Sequence, residues 1–184
     1  METEKLADAF GIIDMSNDFV ADDGGLTVGK PAQAIIPFIV EKAKEYLAAG
    51  KKVLIFMDAH NENDEHFKRW PKHCVIGTNG ARLFGDLDVW YKENINNPNL
   101  IWVPKENYNG FFMREFISAT LKRDGIKQIA FTGVCTDICV FLTVAGADAL
   151  GFDTVVYDKG CATFTPNHAN YLEQMKLCFK TEIR

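Results

Sequence analysis

Short apolar runs alternate along this chain with longer segments whose apolar residues recur at every third or fourth position. The short runs predict strands over residues 9–14, 52–57, 100–103, 127–132, 154–157 and 179–183. The longer segments predict helices over 32–47, 112–122, 136–150 and 166–177. Pro31 stands where a first helical turn needs no N–H, and Gly50 follows the end of the same segment. Both are helix-boundary signals. Strand and helix in alternation imply a three-layer α/β/α fold, a parallel six-stranded sheet covered on both faces, in a single domain over 1–184. Residues 58–99 break the rhythm. They are polar and aromatic with little regular period, and so long an irregular stretch in a compact domain is usually functional.

A length of 184 residues suits one domain with a sizeable core. The formal net charge of −5 speaks against nucleic acid as the main partner, and no apolar run is long enough to span a membrane. The start, Met1 to Lys5, is charged and lacks a secretion pattern. Five cysteines without regular spacing read as the reduced thiols of a cytoplasmic protein.

Ligands of parallel sheets bind beyond the carboxyl ends of the strands, near the point where strand order reverses. Asp14, Asp58, Lys105 and Cys139 each fall at or just after the end of a predicted strand. Cys139 stands where a strand turns into a helix, in Gly133-Val134-Cys135-Thr136-Asp137-Ile138-Cys139-Val140. The free N–H groups and positive dipole end of a first helical turn favour thiolate, the nucleophilic form. The alternative is a buried, inert cysteine. Cys135 competes, but it falls in the turn itself, where its backbone N–H is better placed than its side chain. Cys74, Cys161 and Cys178 read as packing residues. Asp14 either caps a turn or acts in acid–base chemistry, and Asp18 reads as serving the loop backbone. Lys105 alone would be a solvated surface cation. Beside Asp14 and Cys139, its charge would hold both groups in their charged forms.

His60, His66 and His73, out of four histidines in the chain, fall in the irregular segment that Asp58 opens. One carboxylate with imidazoles suits zinc, iron or manganese and leaves open positions for water or substrate. The alternative is a polar surface loop with scattered histidines. His168, near a predicted helix start, reads as a surface residue.

Four segments carry a resemblance to a known family: Asp14-Met15-Ser16-Asn17-Asp18-Phe19, Lys105-Glu106-Asn107-Tyr108, the Gly133 to Val140 run, and a loop of Asp58-x-His60, Trp70-Pro71-x-His73-Cys74 and Gly77-Thr78-x-Gly80-Ala81. Over residues 10–171 the chain resembles the isochorismatase-like cysteine hydrolases and, through that last loop, the nicotinamidases (pyrazinamidases) among them. The resemblance implies hydrolysis of nicotinamide to nicotinate and ammonia through a cysteine thioester, an amidohydrolase step in NAD salvage. It implies Asp14, Lys105 and Cys139 as catalytic residues, with the backbone N–H groups of Cys135 and Cys139 as oxyanion hole and a cis peptide between Val134 and Cys135. Phe19 and Trp70 match positions that sandwich the substrate ring. One divalent metal ion, zinc ahead of iron or manganese, would lie on Asp58, His60, His66 and His73. The third ligand is His in some members and Glu in others, so Glu65 stands as the alternative to His66. The family usually carries Gln where Ser16 stands and a small residue where Cys135 stands. The implied partner is a small molecule, with neither nucleic acid nor membrane, and self-association is left open. Two other readings stand beside this one. One is a related amidase acting on an aliphatic or carbamoyl substrate, against which the metal loop speaks. The other is a catalytically silent interaction module, against which the intact Asp14, Lys105 and Cys139 speak.

Overall fold

The structure, a computed structural model, describes residues 5–184. The charged start over Met1 to Glu4 lies outside the described residues. Strand β1 (Ala9–Ile13) is buried at every position, as an unbroken apolar run requires of a strand covered on both faces. β2 (Lys52–Asp58) and β4 (Gln128–Val134) are buried at all but their first residue. With β3 (Leu100–Lys105), β5 (Asp153–Ala162) and β6 (Glu182–Ile183) they form, among the described residues, one parallel six-stranded sheet in the order β3-β2-β1-β4-β5-β6. The chain builds outward from β1 on one side, then returns to lay β4 on the other. Strand order therefore reverses between β1 and β4. The register pairs Ile13 with Gly133 and Asp58 with Lys105, which brings the carboxyl ends of four strands level. Gly133 has φ +120°, and a Cβ there would lie 2.0 Å from the Ile13 carbonyl oxygen.

Helices α2 (Lys30–Ala48) and α3 (Gly85–Asn94) cover one face, with Ile39, Tyr46, Leu87 and Trp90 in a core shared with Phe10, Ile12, Ile55 and Tyr157. Helices α4 (Glu115–Arg123), α5 (Phe141–Ala149) and α6 (His168–Phe179) cover the other, with Leu121, Val144 and Met175 in a core shared with Ile13, Leu54, Phe56 and Phe131. A short helix, α1 (Asn17–Val20), follows β1. Among the described residues no helix is long and apolar enough to cross a membrane.

The boundaries differ from the periodicity in ways that local structure explains. Within the irregular segment lie a 3-10 turn (Glu65–Lys68) and α3. Leu87 and Trp90 are the buried residues of α3, too few to show a stripe among its charged neighbours. The helix expected from Phe112 starts at Glu115, because Met113 is in the left-handed region at φ 52°. β3 continues through Pro104 to Lys105, which an edge strand tolerates. β5 runs on to Ala162 past a register shift opposite Phe131 and Gly133, and polar Asp158 and Lys159 hide that half of the strand. α6 begins at His168 and continues through Phe179, and Lys180 at φ 55° closes it, leaving Glu182–Ile183 to pair with β5. The segment expected to be helical from Thr136 opens as a π-helical turn (Thr136–Val140) before α5.

Candidate active site

Asp14 leaves β1 in the left-handed region at φ 55°, a conformation that aspartate tolerates better than most residues. Its N–H donates to the Phe56 carbonyl at 2.9 Å, and its Oδ1 accepts the Asp58 N–H at 2.9 Å. The carboxylate is thus pinned to the neighbouring strand end. Lys105, 1% exposed, ends β3. Its Nζ lies 2.7 Å from Asp14 Oδ2, donates to Asp58 Oδ1, and stands 3.9 Å from Cys139 Sγ. The structure therefore brings Asp14, Lys105 and Cys139 together across the switch point, as expected.

The protonation balance differs from expectation. Burial, with the Asp58 charge beside it, raises the Asp14 pKa to about 6 against the pull of Lys105. Burial also pushes the Cys139 thiol up; Lys105 opposes the shift, and Asp14 and Asp58 add to it. Lys105 therefore does not hold both groups charged. Burial works against its ammonium, but Asp14 and Asp58 overcome it and raise its pKa. Asp58 is lowered: burial opposes this, and Lys105, His60 and His73 prevail. The resting sulfur is a thiol beside a carboxylate with a pKa suited to taking its proton. Burial raises Cys135 to about 12, and its side chain contacts Thr163 rather than Lys105. The peptide between Val134 and Cys135 is cis.

Asp58 joins this group to a second one. Its Oδ2 lies 3.7 Å from His60 Nε2 and 3.6 Å from His73 Nε2. His60, His66 and His73 each turn a ring nitrogen to one place, all within 4.8 Å of one another. His60 Nδ1 pairs with Asp64 Oδ2 at 3.0 Å, and His73 Nδ1 with the Pro71 carbonyl at 2.6 Å. Such outer partners orient metal-ligating imidazoles. His60 Nε2 is left buried with no hydrogen-bond partner, which a cation would satisfy. These residues fit a divalent ion. Glu65 is exposed and pairs with Lys68 outside the cluster, so His66 is the residue brought to the imidazole group. Asp64 holds it there by accepting the His66 N–H at 2.8 Å. Burial and the neighbouring imidazoles lower His66, while Asp58 and Asp64 raise His60 against its burial.

Both groups open on one pocket. Phe19 and Trp70 line it with Asp58, His66, His73 and Cys139, and Cys135 is also at its wall. Tyr108, Ile138 and Phe164 line it too, and the sequence reading assigned them nothing. Tyr108 stood inside the lysine segment, and its hydroxyl accepts from Trp70 Nε1 at 2.8 Å. Ile138 stood beside Cys139 in the Gly133 to Val140 run, whereas Phe164, just after β5, carries no local signal. Asp18 serves the loop backbone as expected, accepting from Gly25 N at 3.2 Å and Cys74 N at 2.6 Å. Cys74 and Cys161 are buried, whereas Cys178 is exposed rather than packed. His168 is not a free surface group. Its ring bridges Thr136 and Asp158.

A parallel sheet between helical layers that gathers a carboxylate, an ammonium and a thiol at its switch point has the parts of a cysteine hydrolase. The sequence matches the family model for the isochorismatase domain over residues 8–183, and the chain belongs to that family. An uncharacterized isochorismatase family protein, PncA, of Bacillus subtilis (strain 168) is 36% identical over 155 residues, which cover 83% of this chain and 84% of that protein. The crystal structure of nicotinamidase/pyrazinamidase PncA from Bacillus subtilis is similar at a TM-score of 0.93 and 30% identity, covering 97% of this chain and 99% of its own. That of the pyrazinamidase of Pyrococcus horikoshii in complex with zinc is similar at a TM-score of 0.83 and 27% identity, covering 96% and 97%.

Proposed function

We propose that this chain is a nicotinamidase, hydrolysing nicotinamide to nicotinate and ammonia in NAD salvage. The observation that carries the reading is the shared Asp58, with one oxygen on Lys105 and the other facing the imidazole cluster. A group suited to acyl transfer and a group suited to holding a heteroaromatic nitrogen thus meet in one pocket. The similarity to a nicotinamidase/pyrazinamidase of known structure supports it.

Asp14 takes the proton of Cys139 as the sulfur attacks the amide carbonyl. The backbone N–H groups of Cys135 and Cys139 receive the developing oxyanion, each such donor being worth about 2.7–4 kcal/mol. As the C–N bond breaks, Asp14 passes its proton to the leaving nitrogen, and ammonia departs from a thioester. Asp14 then takes a proton from water, whose oxygen attacks the thioester carbonyl. Collapse breaks the C–S bond and releases nicotinate, and the proton returns to sulfur. Lys105 stays charged throughout and steadies the negative charge as it moves between Asp14 and Cys139. Phe19 and Trp70 confine the ring. Asp58, His60, His66 and His73 would hold a divalent ion, which we take to be zinc, and it would supply a Lewis acid for the pyridine nitrogen. We take the protein to be cytoplasmic, a reading that its five free cysteines support.

Ammonia release from nicotinamide, compared with a panel of aliphatic and carbamoyl amides, tests the reading. Turnover of nicotinamide well above the panel is expected. Preference for an aliphatic amide would overturn it.

A further inference from the structure

The π-turn that carries Cys139 is held from outside at two successive residues. The hydroxyl of fully buried Thr136 lies 2.8 Å from His168 Nδ1, and His168 Nε2 lies 2.8 Å from Asp158 Oδ1. Next along the turn, Asp137 accepts from the hydroxyls of Thr163, at 2.7 Å, and Thr165. All of these partners come from β5, the start of α6 or the connection between them. A carboxylate can only accept, so His168 Nε2 bears a proton, and Nδ1 can accept from the Thr136 hydroxyl. Inside the turn, the Cys135 carbonyl accepts from both Ile138 N and Val140 N. Turns of this wide pitch are rare and concentrate at functional sites. A threonine hydroxyl without an outside partner would compete for the nearby backbone groups.

We propose that His168 is a positioning residue for the nucleophile, holding Thr136 against Asp158 so that the turn presents the Cys139 sulfur to Asp14 and Lys105. This rests on the reading of Cys139 given above. His168 is outside the set of residues lining the pocket, so it acts through Thr136 and not on substrate.

The test is steady-state kinetics on nicotinamide for the metal-loaded protein, three single variants and one double variant, with thermal stability and metal content checked. His168→Phe keeps a ring and loses both bonds, and its kcat falls ~10- to 100-fold with KM nearly unchanged. His168→Gln can donate to Asp158 and accept from Thr136, and it restores most of kcat. Thr136→Val keeps the shape and loses the hydroxyl. It loses as much as His168→Phe, and the double variant loses no more than either. If His168→Phe does not fold, Thr136→Val carries the comparison. Wild-type kcat in folded His168→Phe or Thr136→Val, a loss in KM alone, or multiplicative losses in their double variant would overturn the proposal. Alkylation by iodoacetamide, followed by peptide mass spectrometry, needs no substrate. The rate at Cys139 relative to exposed Cys178 falls in His168→Phe and Thr136→Val. An unchanged ratio overturns the proposal, whereas a wild-type protein inert toward nicotinamide would overturn only the choice of substrate.

Discussion

At the scale of single residues, the site turns on which thiol meets the carboxylate. Both Cys135 and Cys139 are buried at the pocket wall, and burial raises both thiols. Acidity does not separate them; position does, since Cys139 Sγ is the one 3.9 Å from Lys105 Nζ. Cys139→Ala is expected to abolish turnover, whereas Cys135→Ala keeps much of it, because its backbone N–H remains. Mass spectrometry of protein trapped with a nicotinaldehyde or a slow substrate should find the adduct on Cys139, and an adduct on Cys135 reverses the assignment. Asp14→Asn keeps the shape of the carboxylate and cannot take a proton. Thioester formation should fall by at least ~10²–10⁴-fold with metal content intact, as measured in single turnovers. Near-normal acylation would assign the base elsewhere.

At the scale of elements, the irregular segment after β2 is ordered by its own polar groups. Asp64 ties His60 and His66 through one carboxylate, and Asp18 fastens the backbone at Cys74, next to His73. The segment has little regular structure because side-chain contacts such as these, rather than a backbone ladder, order it. His60→Ala should lose the metal and the activity on nicotinamide together, with elemental analysis of protein purified without chelator as the check. Retention of about one equivalent of metal by His60→Ala would remove His60 from the ligand set. The close approach of β4 to β1 makes a different demand. Gly133→Ala would drive a Cβ into the Ile13 backbone at φ +120°. The backbone conformation alone costs roughly 1–3 kcal/mol, so a lower urea midpoint is expected, with lost turnover from the displaced Cys139 turn.

At the scale of the whole molecule, two apolar layers press the sheet from either side and hold four strand ends level. Lys105 and the two carboxylates are buried there, an arrangement that survives only while each charge keeps its partner. Stability and chemistry are separable where the core is remote from that edge. Ile39 on α2 is fully buried and is not among the pocket residues. Ile39→Ala should cost about 2–5 kcal/mol, read as a shift of the urea midpoint, with kcat/KM on nicotinamide unchanged at low temperature. A comparable loss of kcat/KM would show that the core couples to the site.

The chain's alternation of apolar runs and helical stripes was enough by itself to determine a parallel six-stranded sheet between two helical layers, because fully buried strands must be apolar throughout. It also determined which residues stand at the strand ends, since Asp14, Asp58, Lys105 and Cys139 each interrupt or follow such a run. Tertiary structure alone decided what those residues do to one another. Burial, which no local pattern reports, left Cys139 a thiol and raised Asp14, although a neighbouring lysine suggested the reverse. Tertiary structure also turned His66 toward the other imidazoles and left Glu65 exposed against Lys68. It brought Tyr108 and Phe164 to the pocket and His168 to Thr136 across 32 residues of chain. Each of these contacts depends on strand order and register, and those are properties of the assembled sheet rather than of any segment in it.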